Sequence, residues 1–531
     1  MHSVRNQGHR VFINTVSNFT ALVCQLAVSF FMAPFLVHRL GDSAYGLWAI
    51  VTSIFGYMGL LDFGLSASLV RHVASYDSDE KRHLMGTLLS SALLFYASAG
   101  LLGTVIGVSL GLFGMGVFNI PESVMGQARV VMVIMGVSLL LVLPGYVFTG
   151  LLGGLRLYYK TRSVGIAWLG IKTAAIVVAI RSGKGLVWLA IITVATEWLR
   201  FLTIYLLAKR HLQGITLRIR DATKQGVAEL LSYGLKVFAT LGVRTASYGS
   251  DPVLVGIVLS ARWVTFFSIP FTLINYLKSM LLSLTGALMP VFSNLESRNL
   301  HSDIRTRVVK YSRYLATIVL FSGLGVLILG TPFIAVWMGP TYAERGEMVL
   351  VFLSLSYILW CLTPCSEKLL MGTGNQGILL FAAIVHSPVR LGLSVALIHP
   401  MGIAGVALAD FVCETGLRVY LLVRVSRYLG ITVREYFRQT LLRPFIACAL
   451  AGYTLWGAKT IAYPQSYLEL MVEIALACAV LLPLVFFVVL TRQERWELRS
   501  NVARKLLRRT LRRQPRLAGE DGASLDSGSA R

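Results

Sequence analysis

Apolar runs of about 20 residues or more recur along the whole chain, each long enough to cross the hydrocarbon core of a bilayer. About 14 can be counted: 12–38, 44–70, 84–111, 125–152, 163–181, 186–208, 228–258, 263–296, 312–338, 348–371, 376–398, 402–424, 437–459 and 466–490. Inside lipid the backbone must satisfy its own hydrogen bonds, so these runs predict helices and an all-α integral membrane protein. Composition agrees: 56% of the 531 residues are hydrophobic and 14% charged, too few charges to cover a soluble domain of this length. The two longest runs, 228–258 and 263–296, are expected to extend past the bilayer. No cleavable signal peptide is expected, because the first run is long and lacks a small-residue cleavage site.

Charge placement sets the expected orientation. With the N-terminus inside and spans alternating, the inside segments hold about 33 Lys and Arg against about 6 outside. Inside lie Arg71, Arg156, Lys160, Lys209, Arg305, Arg313, Arg424 and Arg434; outside lie Arg39, Arg181, Lys184, Arg262, Arg345 and Lys459. This asymmetry predicts both termini in the cytoplasm and an even number of spans. Residues 491–531 form a tail that is basic as far as Arg516 and then disordered by composition, expected to touch anionic headgroups. Nothing beyond its charge suggests nucleic acid. The six cysteines all fall within runs and read as small core side chains. Cys361 and Cys365 share a face but have no His or carboxylate partner, so no metal site is expected.

The chain also repeats itself. Glu197-Trp-Leu-Arg200, Tyr205-Leu-Leu and Gly214-Ile-Thr-Leu-Arg218 return as Glu414-Thr-Gly-Leu-Arg418, Tyr420-Leu-Leu and Gly430-Ile-Thr-Val-Arg434. Pro34-Phe-Leu-Val37 returns as Pro252-Val-Leu-Val255, and Gly185 and Ala190 as Gly402 and Ala407. A near-constant offset between halves of a very apolar chain suggests a transporter with a path between them. Residues 1–227 then form an N-lobe of spans one to six, and 228–430 a C-lobe of spans seven to twelve. Six spans per half is even, so the repeat is parallel. Residues 431–490 add two spans outside it.

Spans one and two carry Asn14 and Asn18, Ala33-Pro34-Phe-Leu, Leu40-Gly41, Ala44-Tyr45-Gly46-Leu47-Trp48, and Leu60-Leu61-Asp62-Phe63-Gly64-Leu65-Ser66-Ala67-Ser68-Leu69-Val70-Arg71. This pattern, with Phe118-Asn119-Ile120-Pro121 in an outside loop, resembles the Wzx-type oligosaccharide flippases, the polysaccharide transporters of the multidrug/oligosaccharidyl-lipid/polysaccharide (MOP) exporter superfamily. The resemblance covers residues 1–490. It implies two six-helix bundles in a V around a central cavity, with two extra C-terminal helices beside them. It further implies that a lipid-linked oligosaccharide, on undecaprenyl pyrophosphate, crosses the bacterial cytoplasmic membrane by alternating access. No cofactor is implied; coupling to H+ or Na+ is, and a polysaccharide polymerase with chain-length machinery is the expected partner.

Ionisable residues inside spans are costly and face a bundle interior or a wet cavity. Lys236, Arg244 and Asp251, separated by eight and seven residues, fall on one stripe of span seven. The stripe could hold a phosphate or an acidic sugar, or Arg244 and Asp251 could pair structurally. Lys172 in span five and Arg390 in span eleven occupy nearly equivalent repeat positions, one residue out of register, and with Lys278 in span eight complete the candidate cationic cavity. Each could instead pair with another helix or snorkel. Glu197 with Arg200, and Glu414 with Arg418, are spaced for intrahelical pairs. Asp410 lies one turn before Glu414, so Asp410, Glu414, Asp251 and Asp62 are the candidate ion-coupling or gating carboxylates. Asp62, near a bend among Gly59, Gly64 and Ser66, is more often structural in such a place, pairing with a cation. Pro144, Pro270, Pro364 and Pro388 lie within spans and permit bends.

No H-E-x-x-H or phosphate-loop lysine pattern is present, and the loops are too short for a catalytic domain, so an enzyme is not expected. Two alternatives share the expected fold. A multidrug exporter would favour an acidic cavity. A lipid II flippase of the MurJ type carries a lipid pyrophosphate too, so charge does not separate it.

Overall fold

The computed structural model describes residues 2–76, 82–212, 217–497 and 500; the side chains of 2–12, 15, 82–83, 219, 236–237 and 239–248 are not among those described. A first set of helices comprises α1 (His2–Leu40), α2 (Asp42–Met58), α3 (Leu65–Ser75), α4 (Arg82–Ser109), α5 (Glu122–Gly154), α6 (Tyr158–Arg181) and α7 (Leu186–Lys209). A second comprises α8 (Lys224–Tyr248), α9 (Ser250–Val258), α10 (Ala261–Thr285), α11 (Leu288–Ser297), α12 (His301–Trp337), α13 (Pro340–Ile358), α14 (Ser366–Gly372), α15 (Gln376–Met401) and α16 (Ile403–Tyr428). Then come α17 (Val433–Thr440), α18 (Leu442–Ile461) and α19 (Tyr467–Leu484). No strand occurs among the described residues, as expected where a backbone must satisfy itself.

Eleven of the described spans are long and apolar enough to cross a membrane, or twelve if α17 and α18, bent by 48°, count as one. The expected count of 14 is not reached, and the physical reason lies in two predicted spans. Both are helical, but α16 carries Asp410, Glu414, Arg418, Arg424 and Arg427 within 26 residues, and span seven is interrupted.

Proline chemistry explains two of the breaks. Pro252 has no N–H for the Tyr248 carbonyl, so α8 ends at Tyr248 and α9 restarts with the proline in its first turn. The continuous stripe expected through Asp251 is therefore broken at Gly249, and the side chains of Lys236 and Arg244 lie outside those described. Pro364 likewise cannot bond the Trp360 carbonyl; span ten breaks there, and α14 starts at Ser366. Pro144, Pro270 and Pro388 each leave one carbonyl without its helical hydrogen bond, yet the helices that carry them run on without a break.

A third break falls in the Asp62 motif. Residues Gly59–Asp62 tighten into a 3₁₀ turn, then Phe63 (φ 45°) and Gly64 (φ 74°) turn left-handed. Asp62 restarts the helix by accepting from the Ser66 amide (3.2 Å) and hydroxyl (2.9 Å), and it also accepts from the Tyr96 hydroxyl (2.5 Å). These described partners are donors of a capping bond and a hydroxyl bond rather than a cation. Glycine is required at 64, because a Cβ there would run into the Gly234 carbonyl of α8.

The two sets meet along a seam. At one end α2 packs on α9 and α10, with Gly46 close against the Ala261 carbonyl. There Asp42 accepts from Tyr342 Oη (2.6 Å) and faces Arg262 (3.4 Å), while Asn119 Nδ2 donates to the Ile257 carbonyl (2.8 Å). At the other end α3 and α4 pack on α8. Tyr76 Oη donates to Glu229 (2.8 Å), His72 lies 3.3 Å from the same carboxylate, and Arg71 covers the Tyr233 ring at 4.4 Å. The tail beyond α19 is tied to α12 by Arg313 and Glu494 (2.5 Å), both buried.

Candidate transport site

Between these two contacts the seam opens into a cavity of about 630 Å³, within the range of small-molecule sites. Ser53, Gly56 and Tyr57 of α2 form one wall; Phe271, Asn275 and Lys278 of α10 face it; Trp360 and the Glu367, Lys368 and Met371 of α14 close the rest. The Pro364 break matters here, since it starts a new helix whose first turns turn Glu367 and Lys368 into the space. Of the five cations expected in the cavity, Lys278 lines this one.

A buried charge network stands behind the cavity. Arg390, 1% exposed, donates from Nη1 to both oxygens of Asp251 (2.8 and 2.9 Å) and from Nη2 to Ser250 (3.1 Å). Asp410 lies 3.7 Å from the same Nη1 and accepts from Ser356 (2.7 Å). One turn further along α16, Glu414 accepts from Arg418 Nε at 2.7 Å. Arg418 lies 4.4 Å over the Trp360 ring and Lys278 5.7 Å from it, and the Lys278 charge acts on Asp410 and Asp251. Among the described residues this is three carboxylates against three bases. That balance makes their burial tolerable in a medium where an unpaired charge costs several kcal/mol.

Arg390 is therefore placed in a bidentate pair, not among the lining residues of the seam cavity. Asp251 meets it across helices. Asp410 and Glu414 share a face as the spacing implies, yet each has its own partners. Three side chains link network to cavity: Lys278, which belongs to both, Tyr57, hydrogen-bonded to Ser250, and Trp360 beneath Arg418.

A second cavity of about 420 Å³ lies within the first set, among α1, α2, α6 and α7. Lys172 lines it, with Arg162, the indoles of Trp48 and Trp168, Gln25 and Ser29. The Glu197–Arg200 pair (2.7 Å) lines it too. Lys172 has no hydrogen-bond or ion-pair partner among the described residues. Lys172 and Arg390, nearly equivalent in the repeat, thus have opposite fates: one faces a cavity, the other is locked to an aspartate.

Four contributors were missed from sequence. Glu367 and Lys368 stood inside a predicted span, and His386 stood one turn from Arg390; the rule that intramembrane charges are informative would have found all three. Trp360 offered no such signal, because an apolar span hides a functional indole.

The model for the family described as "Polysaccharide biosynthesis protein" matches residues 11–296, and the model described as "Lipid II flippase MurJ" matches residues 273–477. The chain is 21% identical over 418 residues to a protein of Bacillus subtilis (strain 168) called "Uncharacterized membrane protein EpsK", covering 72% of this chain and 78% of that one. Among solved structures it is similar to a lipid II flippase MurJ in an inward closed conformation (TM-score 0.71, 13% identity, 89% of this chain and 98% of the other). It is also similar to an inward-facing multidrug resistance MATE family transporter of the MOP superfamily (TM-score 0.64, 13% identity, 78% and 96%). At these identities the structural likeness establishes the fold.

Proposed function

The chain belongs to the polysaccharide biosynthesis protein family, whose model spans more than half of it, and from that premise we propose that it is a Wzx-like flippase. Its cargo on this reading is an oligosaccharide linked to undecaprenyl pyrophosphate, turned from the inner to the outer leaflet of a bacterial cytoplasmic membrane for surface polysaccharide synthesis. Both termini are then cytoplasmic, and the Asp42–Arg262 end of the seam is external.

The observation that carries the reading is the sign of the second cavity. With Lys278 matched by the buried carboxylates, the described lining of the seam cavity has Lys368 against Glu367, while that of the second cavity has Arg162, Lys172 and Arg200 against Glu197. A net basic lining attracts a phosphorylated cargo and repels an organic cation, which disfavours the drug-exporter reading. Indoles and hydroxyls beside the cations suit a sugar, offering flat apolar faces and hydrogen-bond partners together. The seam contacts are the gates of alternating access, one opening while the other holds, so that the two sets splay into a V on the open side. A polymerase and its chain-length machinery take up the product outside. A lipid II cargo is the second reading, favoured by the lipid II flippase model matching the second half.

The test compares a deletion strain with strains carrying Lys172→Ala or Lys278→Ala at equal membrane expression. Loss of surface polysaccharide with accumulation of a lipid-linked sugar supports the reading. Normal surface polysaccharide in the deletion strain overturns it, and arrested cell-wall growth there selects lipid II instead.

A further inference from the structure

Pro332 and Pro34 leave carbonyls that side chains from other helices take up. Pro332 stands inside α12 and has no N–H for the Ile328 carbonyl; Lys459 Nζ of α18 donates to that carbonyl at 2.8 Å. Pro34 stands inside α1 and has none for the Phe30 carbonyl; Trp337 Nε1 of α12 donates there at 3.0 Å. Inside lipid a freed carbonyl must find a donor nearby, and each of these two finds it on a different helix. The two bonds lie in series. Trp337 follows Pro332 by little more than one helical turn, so Lys459 steadies the joint from which Trp337 reaches α1.

The second bond closes one end of the seam. Trp337 stacks on Phe30 with ring centroids 5.0 Å apart, in an apolar cluster with Val37 of α1, Ile269 of α10 and Ala343 of α13. Tyr342 borders that cluster and donates to Asp42, so this is the end at which Asp42 faces Arg262. The first bond has an alternative close by. Glu473 of α19 is 7% exposed and has no hydrogen-bond or ion-pair partner among the described residues, and its Oε2 is buried. Glu469, one turn before it, is spent on the Gln465 amide (2.6 Å). Lys459 is the base whose charge acts on Glu473. Lys459 thus has one acceptor that it bonds and, within electrostatic range, one buried carboxyl that it does not. A buried carboxyl left without a partner is costly, which favours a second position for the ammonium.

We propose that the accessory helices α18 and α19 work the external gate, with Lys459 and Trp337 as its positioning residues. The effect on export rests on the flippase reading; the geometry of the gate does not. In the closed arrangement Lys459 holds the Ile328 carbonyl and Trp337 holds the Phe30 carbonyl. When Lys459 turns to Glu473, ammonium and carboxylate pair, the Ile328 carbonyl loses its donor, and α12 yields at Pro332. Trp337 then leaves Phe30, and α12 parts from α1. No covalent bond changes. One acceptor replaces another, and the balance is open to any cargo that binds one state better than the other.

The experiment follows an impermeant thiol reagent, added outside cells, as it reaches a cysteine placed in the seam cavity by Ser53→Cys; the full chain with its native cysteines gives the background. Lys459→Met and Trp337→Phe each remove a donor and keep an apolar side chain, and each is expected to speed labelling several-fold. The deciding variants restore the helix's own bond. Pro332→Ala returns an N–H to the Ile328 carbonyl and should bring Lys459→Met back to the parent rate; Pro34→Ala should do the same for Trp337→Phe. A lysine or tryptophan that only filled space or balanced charge would gain nothing from either alanine. Glu473→Gln weakens the second acceptor and should slow labelling and lower export, which keeps the test alive if Lys459→Met does not fold. Unchanged labelling in Lys459→Met and Trp337→Phe would overturn the gate, as would a failure of both alanines to rescue, or unchanged labelling in Glu473→Gln. If a deletion strain exports normally, the flippase reading fails instead, while the labelling still decides the gate.

Discussion

Arg390 of α15 grips both carboxylate oxygens of Asp251 of α9, at 2.8 and 2.9 Å, across 139 positions of sequence. Removing one partner of a buried pair strands the other charge, at a cost of about 3–5 kcal/mol. Arg390→Ala and Asp251→Ala are each expected to lower the unfolding midpoint in detergent sharply. The double variant should cost less than the sum of the two. Additive losses would show that the pair is not coupled.

Lys172 supplies the contrast. It faces a cavity with no partner among the described residues, so Lys172→Ala should leave stability within about 0.5 kcal/mol of wild type. Export should nonetheless fall about tenfold or more, because a hydrogen bond to a charged group contributes about 1.5–3 kcal/mol. Lys172→Arg should restore most of it. A variant that is unstable as well as inactive would place Lys172 in the structure rather than the site.

The seam contacts predict crosslinks. Tyr76 and Glu229 meet through the tips of long side chains, so cysteines at both positions should be joined by a short bis-maleimide rather than a direct disulfide, and the crosslink should arrest export. Adding Gly64→Ala to that pair sets a methyl group against the Gly234 carbonyl and forces strain at a positive φ. Crosslinking should then slow several-fold. Equal rates would mean that α3 and α8 do not depend on this close approach.

The tail anchor predicts an acid sensitivity. Burial pushes the Glu494 carboxyl up, but the Thr491 amide, the Tyr314 hydroxyl and the Arg313 guanidinium outweigh it and hold the group below its ordinary 4.5. A depressed carboxylate contributes stability above its unfolded pKa and loses it as pH falls through the folded value. The protection of amides 491–497, measured against their intrinsic exchange rates at each pH, should therefore fall on acidification below about pH 4.5, the ordinary value for this group. Glu494→Gln should be poorly protected at every pH. A wild type with flat protection across that range would show that the ion pair does not hold the tail.

Much of this site was legible in the residues. The apolar runs carried the helices, and the Glu414–Arg418 pair followed from one-turn spacing. Asp62 was placed at a bend, though not with Tyr96 as its partner. Arg390 and Lys172 read alike, both single cations in the middle of a span, and nothing nearby in the chain separates them. Span seven misled because Pro252 was read as part of the repeat rather than as a residue that cannot bond the carbonyl four positions back. His386, one turn from Arg390, could be singled out as an ionisable residue within a span, but its approach to Glu414 of α16 is fixed only by packing.

The sequence by itself determined the membrane class and the helical backbone. Each depends on properties that add along the chain: hydropathy over a span, periodicity over a turn, or a sum of charges. Tertiary structure alone decided which charges are spent on one another and which face a cavity. A buried charge takes its partner from whichever helix packs against it, and helices 139 positions apart become neighbours only when the whole bundle has assembled.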